Sequence, residues 1–259
     1  MATNGIITVA ILAKDKAHVL PTYLKTIEEQ TYPSEKIRLY IRTNNNNDNT
    51  EELLTSWIER VKERYLEIHF DNLPLTENVQ DYKPHDWNAM RLEVIGKLRK
   101  ASIDWALERG TDYFTADCDN FINPNTMEKL YATQLSAVGP FLRNGDDPSS
   151  LYANFHYDTD ENGDYKDSPH YYSIWSQHIK GLFEVNVIHC TYLLRHEILD
   201  KINYVDGSQR FEYVIFSETL RKLNIPQYLD NREVYGTLTF CDTAEDFREK
   251  FPQFYENKV

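Results

Sequence analysis

Asp117-Cys118-Asp119 sets two carboxylates one residue apart, directly after the apolar run Tyr113-Phe114-Thr115-Ala116. At a strand's end, side chains two positions apart leave the pleat on the same side, so both could close on one hard cation. A divalent ion held there bridges two phosphates of a nucleotide and neutralises charge building on a departing diphosphate. The bland alternative is a solvated acidic turn. A second group of candidates is cationic: Arg91, Lys97, Arg99 and Lys100, with His85 and Trp87 just before them. Arg91 and Lys97 are six apart and fall on different helix faces, whereas Lys97 and Lys100 are neighbours that could reach a diphosphate from one side. A charged outer helix face explains any one of them equally well.

A third candidate is Glu212 in Arg210-Phe211-Glu212-Tyr213. An acid in a helix's first turn suits the helix dipole. At a cleft it could instead act as general base on an acceptor hydroxyl. His189, His196, Asp242 and Glu245 are spare candidates for completing a metal shell, although His189, inside the run Val185 to Leu194, reads more readily as a hydrogen-bonded core histidine. Asp158-x-Asp160-x-Asn162-Gly163 opens like a calcium loop, but its twelfth position holds Pro169 where a bidentate Glu is needed. Asn162-Gly163 is read as a hairpin turn between Tyr152–Asp158 and Tyr165–Tyr171.

These groups need a scaffold, and the first half of the chain alternates strand and helix. Ile6 to Leu12 is a continuous apolar run, the mark of a strand covered on both faces. His18 to Gln30 carries Val19, Tyr23 and Ile27 at helical spacing, with Pro21 suited to a first turn. Ile37 to Arg42 alternates as a strand, and Thr43 to Thr50 is a polar loop whose last members cap the helix Glu51 to Tyr65. Leu66 to Phe70 is a short strand. A loop with Pro74 and Pro84 then leads to the helix Trp87 to Glu108, ended by Gly110, and to the strand Asp112 to Asp117.

This order predicts an α/β fold with a mainly parallel central sheet and helices on both faces. Ligands on such sheets bind beyond the carboxyl ends of the strands, where the Asn tract and Asp117/Asp119 both emerge. From Ala137 the texture changes to short strands at Ala137 to Leu142, Leu151 to Tyr157, Tyr171 to Trp175 and Phe183 to Leu194. The helix Phe211 to Leu223 and the strand Gln227 to Asp230 follow. With no Ser/Gly/Pro-rich linker, residues 1–259 read as one domain, with a nucleotide-facing half over 1–136 and an acceptor-facing half over 137–259.

Composition narrows the partners. Against 28 Lys+Arg stand 41 Asp+Glu, a formal charge of −13, which argues against a surface built for nucleic acid or anionic membrane. The cysteines Cys118, Cys190 and Cys241 form no C-x-x-C pair, so neither a disulfide framework nor a zinc knuckle is expected. The N-terminus lacks the basic and long apolar regions of a secretory signal, and the apolar run Val9 to Ala13 is far below the roughly 20 residues a bilayer span needs. The expectation is a cytoplasmic protein with no membrane span.

Over nearly its whole length the chain resembles the glycosyltransferase domains of procollagen galactosyltransferases and, more distantly, of lysyl hydroxylases. The resemblance is carried by AKDKAHVLPTYL (13–24), Asn47-Asp48-Asn49-Thr50 with Trp57, His85-Asp86-Trp87 with Arg91, and Lys97-Leu98-Arg99. It continues through Ala116 to Asn120, Asn123-Pro124 with Thr126, Tyr152 to Phe155, His189 with Thr191, Phe211-Glu212, and Asn231 to Gly236. The resemblance implies the metal-dependent GT-A fold, a UDP-galactose or UDP-glucose donor, and transfer of the hexose to an acceptor hydroxyl such as hydroxylysine of a collagen-like protein.

By the same resemblance Asp117 and Asp119 hold Mn²⁺ (or Mg²⁺), and Glu212 is the base of an inverting transfer. The family motif has two adjacent acids where this chain has Glu212-Tyr213, and the family's late metal-binding histidine has no clear counterpart, so Asp242 or a water stands in. The reading adds Ala10 to Asp15 and the Asn44–Thr50 loop around uracil and ribose, with Ala13, Asp15, Asn44, Asp48 and Asn49 as the donor-binding positions. Trp87, Arg91, Lys97, Arg99 and Cys118 line the donor, while Trp175, Tyr152, Tyr171 and Tyr172 join Trp87 as a sugar and acceptor wall. The animal enzymes' signal and retention tetrapeptide have no match here, which points to a bacterial or viral source. A transferase acting on saccharide acceptors and a decayed UDP-sugar-binding protein are the alternatives. A nucleotidyltransferase fits less well, because the chain has no Gly-rich phosphate loop.

Overall fold

The computed structural model describes residues 3–77, 87–147 and 149–255. Pro84, His85 and Asp86 lie outside the described residues. The first half runs β1 (Ile7–Ala13), α1 (Leu20–Glu28), β2 (Ile37–Thr43), α2 (Thr50–Val61), β3 (Glu67–Asp71), α3 (Ala89–Glu108), β4 (Asp112–Ala116), β5 (Asn120–Ile122), α4 (Thr126–Ala132), β6 (Ala137–Pro140) and β7 (Leu142–Asn144). The second half runs β8 (Phe155–His156), β9 (Asp158–Thr159), β10 (Tyr165–Lys166), α5 (Pro169–Trp175), β11 (Leu182–Val185), β12 (Val187–Ile188), β13 (Thr191–Leu194), α6 (His196–Leu199), α7 (Glu212–Lys222), β14 (Gln227–Asp230), β15 (Gly236–Leu238), α8 (Ala244–Lys250) and α9 (Pro252–Tyr255).

Eight strands form one sheet in the order β11-β14-β6-β13-β4-β1-β2-β3. The first four strands of the chain are mutually parallel, with Ile7 opposite both Ile37 and Asp112. This register brings the carboxyl ends of β1, β2 and β4 to one edge. Beyond β4 the sheet is mixed, because β13 runs antiparallel to both β4 and β6. Along β1, Val9 and Ile11 pack into the core under α1 and α2, while Ala10 faces the opposite core with Ile103 and Ala106 of α3. Each large apolar side chain so buried contributes about 1.5–3 kcal/mol. Among the described residues no helix is long and apolar enough to cross a membrane.

The irregular second half departs from expectation. Tyr171 to Trp175 is not a strand but part of helix α5, where Pro169 takes a first-turn position after Ser168. The aromatic run suggested a strand, but proline and its neighbour set the start of a helix. Phe183 to Leu194 breaks into three strands, interrupted at Asn186 and at Cys190, which adopts φ +64°. Ala137 to Leu142 divides at Phe141 between two sheets, and only Phe155–His156 of Leu151 to Tyr157 is a strand. The turn at Gly163 (φ +87°) does join an antiparallel pair, β9 with β10, shorter than the sequence suggested.

Candidate active site

The loops after β1, β2 and β4 surround a cleft of about 930 Å³. Its floor is Asp117-Cys118-Asp119, and the backbone of this turn is pinned from both sides. The Asp117 N–H donates to the Cys190 carbonyl at 2.9 Å, and Thr239 donates to the Asp119 carbonyl through both its N–H and its hydroxyl, each at 2.9 Å. Cys118 is buried, its thiol 3.4 Å from the Leu12 carbonyl. The left-handed backbone of Cys190, rarely adopted by a side-chain-bearing residue, orients the carbonyl that receives Asp117.

Both carboxylates are countered by cations. Arg99 is 4% exposed; its Nη2 donates to Asp117 Oδ1 at 2.7 Å and its Nε to Glu212 Oε1 at 3.1 Å. Lys16 Nζ donates to Asp119 Oδ2 at 2.9 Å. Burial pushes Asp117 above the usual carboxylate range, aided by Asp119 and Glu212 and opposed by Arg99. Burial alone would lower Lys16, but Asp119 outweighs it and raises the ammonium above its ordinary value. The same balance, set against burial by Asp117, then Tyr192 and Glu212, holds Arg99 firmly protonated.

The first wall is formed by the loops after β1 and β2, which are laced together. Asp15, at φ +53°, accepts the Asn47 N–H at 2.6 Å, and its own N–H donates to Asn46 Oδ1. Burial would raise Asp15, but Lys14 and Asn47 prevail and lower it. Asp48 accepts the N–H groups of Ala17 and Thr50, so it both ties the loops and satisfies the start of α2. Ala13, Asn44 and Asn49 line the same cleft. Trp87 stands 43% exposed at the rim, its ring 5.1 Å from the Arg91 guanidinium and 5.9 Å from Phe211. Asp242 lines the same cleft.

Of the anticipated residues, Lys97 and Glu212 are not among those lining the cleft. Lys97 is exposed and pairs with Glu93 at 2.8 Å, one helical turn away, and Lys100 pairs likewise with Asp104. Glu212 is buried; Arg99 takes its Oε1, while Oε2 carries no hydrogen bond among the described residues. The aromatic wall divides. Tyr152 lies 5.9 Å from His189, which stacks on Tyr213 at 4.9 Å. Trp175 and Tyr172 line a separate surface depression of about 360 Å³. His189 is buried with no hydrogen bond at Nε2 among the described residues, and burial, with nearby His156, holds it neutral.

Sequence reasoning missed Lys16, His18 and Arg42 as cleft residues, whereas Lys14 falls in the Ala10 to Asp15 segment it assigned to the donor. Their signal was position: Lys16 and His18 follow closely on the end of β1, and Arg42 is the penultimate residue of β2. His18 Nε2 meets the Cys241 carbonyl at 2.7 Å, joining the first wall to the last. As donors for a divalent ion, the two carboxylates fit: they are hard oxygen ligands, and Asp117 Oδ2 and Asp119 Oδ1 carry no hydrogen bond among the described residues. Among those residues no three His, Cys, Asp or Glu gather as a ready-made shell.

The parallel sheet, the cleft over its carboxyl edge and the antiparallel β13 define a GT-A glycosyltransferase fold. Solved structures agree. The chain superposes on S. aureus TarS 1-349 in complex with UDP-GlcNAc with a TM-score of 0.60, at 13% identity, over 96% of this chain and 65% of that one. It superposes on the mannosyltransferase PcManGT from Pyrobaculum calidifontis in complex with GDP-Man and Mn²⁺ with a TM-score of 0.51, at 14% identity, over 98% and 65%. Residues 4–254 match the model of the glycosyltransferase family 25 N-terminal domain, and the chain belongs to that family. It is 33% identical over 242 residues to human procollagen galactosyltransferase 2, covering 90% of this chain and 38% of that protein. It is 31% identical to procollagen galactosyltransferase 1-A of Xenopus laevis, covering 94% and 42%. The chain thus spans about two fifths of these relatives' length. The mouse inactive glycosyltransferase 25 family member 3 is 30% identical over 195 residues, covering 74% of this chain and 32% of that protein.

Proposed function

We propose that this protein transfers a hexose, galactose or glucose, from a UDP-sugar to an acceptor hydroxyl with the help of a divalent metal. The observation that carries the reading is the pair Asp117/Asp119 at the carboxyl end of β4, on the floor of a large cleft in a chain of family 25. Asp117 and Asp119, with Asp242 of the same cleft as a further candidate, would hold Mn²⁺ or Mg²⁺, which when bound supplies positive charge to the diphosphate. The laced loops around Asp15, Asn44, Asp48 and Asn49 form the nucleoside wall. Trp87 offers an aromatic face at the rim for the donor or its sugar, with Arg91 beside it. Arg99 pairs with both Asp117 and Glu212 and fixes them in place.

Glu212 is the candidate base, its Oε2 being the oxygen left for an acceptor proton. The name of the human relative favours a collagen-like chain as acceptor, the family resemblance points to its hydroxylysine, and a saccharide is the second class. The decisive experiment screens UDP-sugars for Mn²⁺-dependent UDP release, then offers hydroxylysine peptides and free saccharides as acceptors. UDP release from UDP-galactose or UDP-glucose that Asp119→Asn abolishes is expected. UDP binding without any turnover, hydrolysis included, would instead identify a non-catalytic binding protein.

A further inference from the structure

The two cations on the cleft floor are held very differently. Arg99 is buried, planar, and fixed by two carboxylates at once. Lys16 is an ammonium on a flexible four-carbon stem, with its side chain 30% exposed and, among the described residues, a single ionic partner, Asp119. Its backbone is anchored: the Lys16 N–H donates to Thr50 Oγ1 at 2.8 Å, and the flanking N–H groups of Asp15 and Ala17 are held by Asn46 and Asp48. Only the side chain is at liberty to swing. Lys14, the neighbouring ammonium, is engaged with Asp15 and the Asn45 carbonyl.

Charge counting gives the motion a cause. Three carboxylates (Asp117, Asp119, Glu212) face two cations (Lys16, Arg99), so the cluster carries one net negative charge. A divalent ion on Asp117 and Asp119 would stand within a few ångströms of the ammonium on the same carboxylate, and two cations at that separation repel strongly. Bound metal also leaves the cluster with one net positive charge, and a diphosphate bringing two negative charges lies next to it. The ammonium then has a reason to leave Asp119 and a new anion to meet.

We infer that Lys16 is the resident counter-ion of Asp119, displaced when a divalent cation binds and turned onto the diphosphate of the donor. This rests on the reading of Asp117 and Asp119 as metal ligands. Lys16 therefore opposes metal binding in the empty cleft and favours nucleotide binding once metal is present, which orders the two events and discourages tight capture of metal without donor.

The test measures Mn²⁺ binding by the spectroscopic signal of the free ion, without nucleotide, and then UDP binding by calorimetry at saturating Mn²⁺. Lys16→Met is expected to bind Mn²⁺ about threefold or more tighter than wild type, and UDP about tenfold weaker. Lys16→Gln removes the same charge and must follow Lys16→Met in both measurements; a split between them overturns the inference. So does Mn²⁺ affinity that fails to rise, or UDP affinity that fails to fall. Asp119→Asn separates the levels. If it loses Mn²⁺ while the Lys16 variants behave as wild type, the counter-ion role alone is wrong. If wild type binds Mn²⁺ no better than Asp119→Asn, the metal-site reading itself is wrong, and the displacement goes with it.

Discussion

The two sides of Arg99 bury polar groups by opposite means. Toward the cleft, Asp117, Asp119 and Glu212 are met by ion pairs from Arg99 and Lys16. Toward the second half of the chain, His189 stacks on Tyr213 and meets His156 and Tyr152 edge to face, and burial keeps the histidines neutral. A buried charge needs a partner, whereas a buried neutral ring needs only contact. The first arrangement suits a charged diphosphate; the second suits an uncharged sugar or acceptor.

Removing Arg99 attacks the charged side most severely. Arg99→Met strands Asp117 and Glu212, and a loss of about 3–5 kcal/mol is expected by chemical denaturation, partly recovered by adding Glu212→Gln. The neutral side responds to acid instead. Burial, helped by Arg221, lowers His156 from 6.5 to about 4, so between those values the unfolded chain binds the proton and the folded chain does not. The stabilisation is complete above pH 6.5 and is lost as pH falls toward 4, amounting to about 3 kcal/mol. Melting curves of His156→Phe should show a shallower decline over that range than wild type.

A smaller effect, confined to ligand binding, sharpens the contrast. Asp119→Asn should weaken UDP binding in Mn²⁺ about a hundredfold in calorimetry. Its melting temperature should fall far less than that of Arg99→Met, because Lys16 is partly solvated and tolerates the loss. At the low end, Lys97→Ala should leave UDP affinity within about twofold, since its ammonium pairs with Glu93 on an exposed helix face. A large loss there would show that the long helix reaches the donor after all.

Much of the first half was legible because its signals are local. The apolar run of β1, the alternation of β2 and the helical spacing of Leu54, Trp57 and Val61 each identify an element without reference to the rest of the chain. The second half resisted because its strands are only two to four residues long, shorter than any periodic pattern can mark. Tyr171 to Trp175 shows the error in miniature: aromatic content suggested a strand, and a single proline two residues upstream decided for helix.

The chain itself announced two aspartates at the end of a buried strand and a parallel α/β frame to carry them, since both follow from residue type and short-range period. Which cation meets which acid was beyond its reach. Arg99 joins residues 18 and 113 positions away, and Lys16 crosses 103 positions to Asp119. Such pairings depend on how strands order in the sheet, and strand order is set by the packing of the whole core rather than by any segment's own pattern.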